Sequence, residues 1–178
     1  MEVKDEIRRI LPEIDLIEDA DLRDKVAATW ADGLRRGGWT PEDITRMPFT
    51  LAKSVDINFA QHVRSVARIC LAVAETFDEI YNGKLSLNRD VLLAGALLHD
   101  VGKLLEMEEE DGQFRKSPAG KLVRHPFSGV ALADAHGIPP EVQHIIGTHS
   151  KEGDPYPRTP EAVVVHLADF MNFDTIEG

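Results

Sequence analysis

The chain has 178 residues, 43% hydrophobic, 29% charged and only 6% aromatic, which suits one globular domain with its own core. A formal net charge of −11 makes it a poor general binder of phosphate backbones and argues against a nucleic-acid-coating role. A small phosphorylated substrate stays open, because a bound metal ion dominates the local field of a site.

The N-terminal stretch MEVKDEIRRI lacks the apolar run of a signal peptide. Helical spacing runs over Glu2 to Ile10 and again over Asp21 to Arg36, where Gly37-Gly38 closes the second element. Thr40-Pro41-Glu42-Asp43 predicts a further helix start, with Thr as N-cap and Pro at the first position. Residues 1–50 are read as a helical extension packed on a main domain of residues 51–178. Trp30 and Trp39 are read as exposed apolar residues, available to a homodimer contact.

The next helix spans about Phe59 to Tyr81, with His62, Val66, Ile69, Val73 and Phe77 on one stripe. His62 therefore points toward the core. The single cysteine, Cys70, lies among apolar neighbours, so a packed thiol in a reducing, cytoplasmic compartment is expected. Asn88 caps a helix through His99, and its apolar run VLLAGALL is too short to span a membrane. Gly102 breaks that pattern. The polar stretch from Glu106 to Pro118 carries Asp111-Gly112, the signal for a tight β-hairpin around 106–116, with a solvated acidic loop as the alternative.

His125-Pro126 opens the next helix, which closes at His136-Gly137, and Pro139-Pro140 starts another ending near His149. A Gly/Pro-rich loop from Lys151 leads to a last helix, Pro160 to about Asp174, with Val165, Asp169 and Phe173 on adjacent turns. The expected fold class is all-α, a compact bundle of five to seven helices in short antiparallel steps.

The chemistry lies in where histidine and aspartate fall. His62, His99, His125 and His149 sit on apolar stripes or at inward-pointing helix ends, as do Asp100 and Asp169. A carboxylate on an apolar face is costly unless paired or bound to metal, and imidazoles beside two such carboxylates remove that cost by surrounding a cation. For each residue alone, the plainer alternative is a buried, hydrogen-bonded or helix-capping side chain. His136 reads as a helix-dipole partner, His144 as exposed, and His166, one turn before Asp169, as a pocket-side or core residue.

The string LLHDVGK, with His62 on an earlier helix and Asp169 on a late one, resembles the HD-domain superfamily of metal-dependent phosphohydrolases. The resemblance covers roughly Asn58 to Asp174. It implies that His62, His99, Asp100 and Asp169 hold one divalent ion, that Asp100 bridges, and that His125 and His149 complete a second site. The implied cofactors are two divalent ions drawn from Mn, Fe, Co, Ni, Zn or Mg. The implied reaction is hydrolysis of a small phosphorylated molecule, a nucleotide or cyclic nucleotide, by a metal-bridging hydroxide. Asp100 and Lys103 are the implied catalytic residues, and Lys103, Arg124, Lys151 and Arg158 the candidate phosphate contacts. Two alternatives share the ligand set: a di-iron oxygenase of the same superfamily, and a non-catalytic nucleotide-binding sensor. No Gly-Tyr-Pro extension of the cyclic-dinucleotide phosphodiesterase type follows the core.

Overall fold

Helices form almost wherever apolar spacing runs at the helical period. The computed structural model describes residues 2–52 and 55–176. Among these, α1 (Val3–Ile10), α2 (Ala20–Gly37), α3 (Phe59–Tyr81), α4 (Arg89–Leu98), α6 (His125–Ala135), α7 (Pro140–Thr148) and α8 (Pro160–Thr175) are the longer helices. A single turn, α5 (Lys103–Glu106), follows α4. Side chains that satisfy free N–H groups mark the starts. Asp19 accepts from the N–H groups of Asp21 and Leu22 ahead of α2, and Asn88 accepts from Val91 ahead of α4. At α3, Asn58 accepts from the Gln61 N–H while the Gln61 side chain accepts from Asn58.

The centre of the fold is α4, packed on α2, α3, α7 and α8. Every residue from Leu92 to Leu98 is buried, as expected for a helix apolar on all sides. One apolar cluster runs from Ile7 and Ile14 through Trp30 and Phe59 to Leu97, Ile146 and Val165. The fold is all-α apart from one hairpin. Strands β1 (Met107–Glu110) and β2 (Gln113–Lys116) pair antiparallel, joined by Asp111 at φ 51° and Gly112 at φ 75°. Two successive positive φ values favour Asp-Gly, and their twist matches that of the strands.

Two expectations are corrected. Thr40-Pro41 opens only a short 3-10 turn, Pro41–Thr45, because Pro48 follows and disfavours helical backbone at Met47. Trp30 is wholly buried, and its Nε1–H donates to the Leu97 carbonyl at 3.1 Å. Trp39 is partly buried, and its indole N–H donates to Leu104 O at 2.8 Å. Each indole satisfies a carbonyl left without a partner near a helix end. Among the described residues no helix is long and apolar enough to cross a membrane.

Candidate metal centre

Four helix ends and one helix interior bring the six predicted ligands together. His62 comes from the first turn of α3, His99 and Asp100 follow the last residue of α4, His125 opens α6, His149 follows α7, and Asp169 lies within α8. All but Asp169 are buried. His62, His99, Asp100 and Asp169 converge in one cluster, and Asp100, His125 and His149 in a second.

Asp100 joins the two clusters through different oxygens. Its Oδ2 lies 3.3 Å from the Nε2 of both His62 and His99. Its Oδ1 lies 3.2 Å from His125 Nε2 and 3.6 Å from His149 Nε2. Asp169 Oδ1 closes the first cluster at 3.1 Å from His62 Nε2 and 3.8 Å from His99 Nε2.

The backbone sets the histidine tautomers. His99 Nδ1–H donates to Ala96 O at 2.7 Å, and His149 Nδ1–H donates to Ile146 O at 2.8 Å. A carbonyl can only accept, so Nδ1 carries a proton and Nε2 is the nitrogen that faces the cluster. Both carbonyls lie at helix C-termini, where they lack intrahelical partners. His166, on α8, donates from Nδ1 to His149 O at 2.6 Å and so supports that ligand from behind.

Glu106 is a site residue that the sequence did not single out. Its Oε2 accepts from the His125 backbone N–H at 2.9 Å and from His125 Nδ1–H at 2.8 Å. Its Oε1 pairs with Arg124 and lies 3.4 Å from Lys116 Nζ. A carboxylate behind a metal-binding imidazole fixes the ring and raises its basicity.

The donor set fits a divalent cation. The Nε2 atoms of His62 and His99 approach to 3.2 Å, and those of His125 and His149 to 3.3 Å. Two lone pairs facing each other repel, whereas ligands of a shared ion at bonds of about 2.1 Å stand about 3 Å apart. Burial raises the Asp100 pKa, but Lys103 and the surrounding histidines outweigh it and hold the carboxyl well below the usual range. Asp169 follows the same pattern: burial raises it, and His62 and His99 bring it down to about 2. Glu106 also falls to about 2, burial being outweighed by the hydrogen bonds and charge of His125. Burial pushes the His125 pKa down, with Glu106 opposing. For His62 burial is the largest influence and lowers the pKa, but Asp100 and Asp169 together reverse it, and the net shift is upward. Ionised carboxylates and neutral His125 are the forms that ligate.

A cavity of about 440 Å³ opens over Asp100 and Asp169. Lys103 lines it, donating to Asp100 Oδ2 at 2.5 Å and to Phe49 O at 2.7 Å. Arg124 and Lys151 also line it, with Arg124 paired to Glu106 and Glu152. Arg158 is placed differently. It donates to Thr148 O at 2.7 Å and Ser150 O at 3.1 Å, closing the end of α7, and pairs with Asp154 at 2.7 Å. A cation three turns of sequence from a ligand carried no sign that backbone carbonyls would claim it.

The HD domain family matches residues 59–171, a span that holds all six ligands. The chain belongs to the HD domain family. Within it, the chain is 36% identical over 111 residues to dihydroneopterin 2′,3′-cyclic phosphate phosphodiesterase of Methanocaldococcus jannaschii, covering 61% of this chain and 43% of that protein. It is 34% identical over 89 residues to ribonuclease Y of Thermotoga maritima, covering 50% of this chain and 15% of that protein. It is 30% identical over 123 residues to the 3′-5′ exoribonuclease YhaM of Listeria monocytogenes, covering 62% of this chain and 37% of that protein. This HD domain thus spans less than half the length of these curated relatives. No solved structure matches it significantly.

Proposed function

We propose that this HD domain is a metal-dependent phosphodiesterase that cleaves a small phosphorylated molecule, a nucleotide or cyclic nucleotide, at a binuclear centre. The observation that carries this reading is Asp100, whose two oxygens face two separate histidine pairs under one cavity. His62, His99, Asp100 and Asp169 would hold one ion and Asp100, His125 and His149 the other. Ions bound there supply Lewis acidity, neutralising phosphoryl charge and making water more acidic. The protein's own groups do the rest. Glu106 orients His125, and the Lys103 ammonium stands beside Asp100 where it meets a phosphate oxygen. Arg124 and Lys151 add positive charge to the cavity wall of an otherwise acidic chain. The activities for which these relatives are named are all cleavages of phosphodiester bonds, which favours hydrolysis over oxygenase chemistry. The buried Cys70, its thiol pushed up to about 12 by burial, fits a reducing cytoplasmic setting.

The test is elemental analysis of the purified chain, with phosphoester cleavage assayed in Mn²⁺ on a panel of 2′,3′- and 3′,5′-cyclic nucleotides. About two ions per chain with cleavage is expected, and Asp100→Ala loses both. Two irons without cleavage of any phosphoester point to the oxygenase. No metal under any condition leaves the nucleotide-binding sensor.

A further inference from the structure

Cavities, exposed apolar faces and buried charges elsewhere in the fold lead back to one feature the metal centre does not use. Three of the seven phenylalanines, Phe49, Phe170 and Phe173, line the cavity over Asp100 and Asp169. Phe49 and Phe173 meet edge to face with centroids 6.4 Å apart. Phe170 follows the ligand Asp169 directly on α8, and Phe173 lies one turn further on. Phe170 and Phe173 are only partly buried, Phe173 resting on the apolar core and Phe170 on His166, so both keep exposed ring surface at the cavity. The positive groups Arg124 and Lys116 gather instead around Glu106, on the His125 side of Asp100.

Lys103 stands between Asp100 and the Phe49 carbonyl, so the cavity holds cations at Asp100 and toward its His125 end, with the aromatic wall beside Asp169. The geometry points to a ring subsite: Phe170 and Phe173, backed by Phe49, stack a planar heteroaromatic ring joined through a sugar or similar short polyol to the phosphoester. A phosphorus at the metals leaves such a ring against α8, because Asp169 and the wall are consecutive on that helix. The volume of about 440 Å³ is in the range that takes one small ligand. Stacking suits the site because every such ring presents a π-face to an aromatic wall. Phe49 and Phe173 both lie outside residues 59–171, the span matched by the HD domain family. The inference builds on the phosphodiesterase reading for where phosphorus sits, and a binding measurement separates the two.

Calorimetric titration of the full chain compares adenosine 5′-monophosphate with ribose 5-phosphate, which keeps sugar and phosphate and lacks the ring. The ring is expected to tighten binding by about tenfold or more. Phe173→Leu, which keeps apolar bulk and removes the π-face, is expected to narrow that gap to about threefold or less, and Phe173→Trp to keep it. Equal binding of the two ligands, no binding of either, or a gap that survives both Phe173→Leu and Phe170→Leu overturns the subsite. A chain that shows the gap yet cleaves no phosphodiester keeps the subsite and loses the phosphodiesterase assignment.

Discussion

Glu106 holds His125 at two points, accepting its backbone N–H and its ring Nδ1–H on a single oxygen at 2.9 and 2.8 Å. The first bond fixes where α6 begins, and the second fixes which ring nitrogen faces Asp100. Carboxylates in this position are worth about ten- to a hundredfold in metal affinity. Glu106→Gln is therefore expected to weaken the His125–His149 site by that factor while leaving the His62–His99 site filled. Metal titration should show two steps of separated affinity in the variant. A variant that binds both ions as tightly as the parent removes Glu106 from the centre.

Trp30 joins the N-terminal helices to α4, the helix that leads into His99 and Asp100. Its indole fills the core between α2 and α4, packs on Phe59 with centroids 5.4 Å apart, and donates to Leu97 O two residues before His99. Trp30→Ala is expected to cost about 3–5 kcal/mol of stability. Trp30→Phe, which leaves that carbonyl unsatisfied, is expected to cost about 1–3 kcal/mol. Urea denaturation of the two variants checks the ordering. Equal, small losses for both would mean that the indole is not a stabilising contact.

The helices and the inward aim of the candidate ligands were legible because both are local signals. His62 shares a stripe with Val66 and Ile69, and His99-Asp100 ends the most apolar run of the chain, so their inward aim follows from periodicity. Partners across the fold were not legible. Glu106 opens an acidic stretch that looks solvated, and nothing local says that it turns back under His125, 19 residues on. Trp30 reads as a surface aromatic until Leu97, 67 residues away, supplies its acceptor. Arg158 looks like a phosphate contact until the bare carbonyl ends of α7 take it. His144, read as exposed, is half-buried, its Nε2 accepting from the Thr159 N–H at 3.4 Å.

Asp32 links α2 to the end of α6. It lies 3.1 Å from His136 Nε2 and pairs with Arg36 at 2.8 Å and Arg35 at 2.5 Å. Burial raises its pKa, but hydrogen bonds from Arg36, Arg35 and His136 outweigh this and bring it from 3.8 to about 2. A carboxyl depressed in the folded state stabilises fully above its unfolded pKa and loses that contribution as pH falls through the folded value. The stability gap between the parent and Asp32→Asn is thus expected to hold down to about pH 4 and to shrink between about 4 and 2. Chemical denaturation at pH 6, 4 and 3 reads it directly. A gap that widens between pH 4 and 3 would contradict the assignment.

Gly102 is where α4's ligand loop passes the start of α6. A Cβ there would stand 2.1 Å from His125 O and 2.7 Å from Gly129 N, both backbone atoms that cannot swing aside. The residue before it, Val101, is buried, and the one after it, Lys103, is anchored to Asp100, so the loop has no room to retreat. Relief must come from α6, which carries His125. Gly102→Ala is therefore expected to cost about 1–3 kcal/mol of stability and to weaken metal binding at the His125–His149 site more than at the His62–His99 site. Adding Glu106→Gln should then do little further harm to the second site, because displacing α6 already breaks the bond that Glu106 makes, and the two changes share one target. Fully additive losses in metal affinity would show instead that Gly102 and Glu106 position His125 independently.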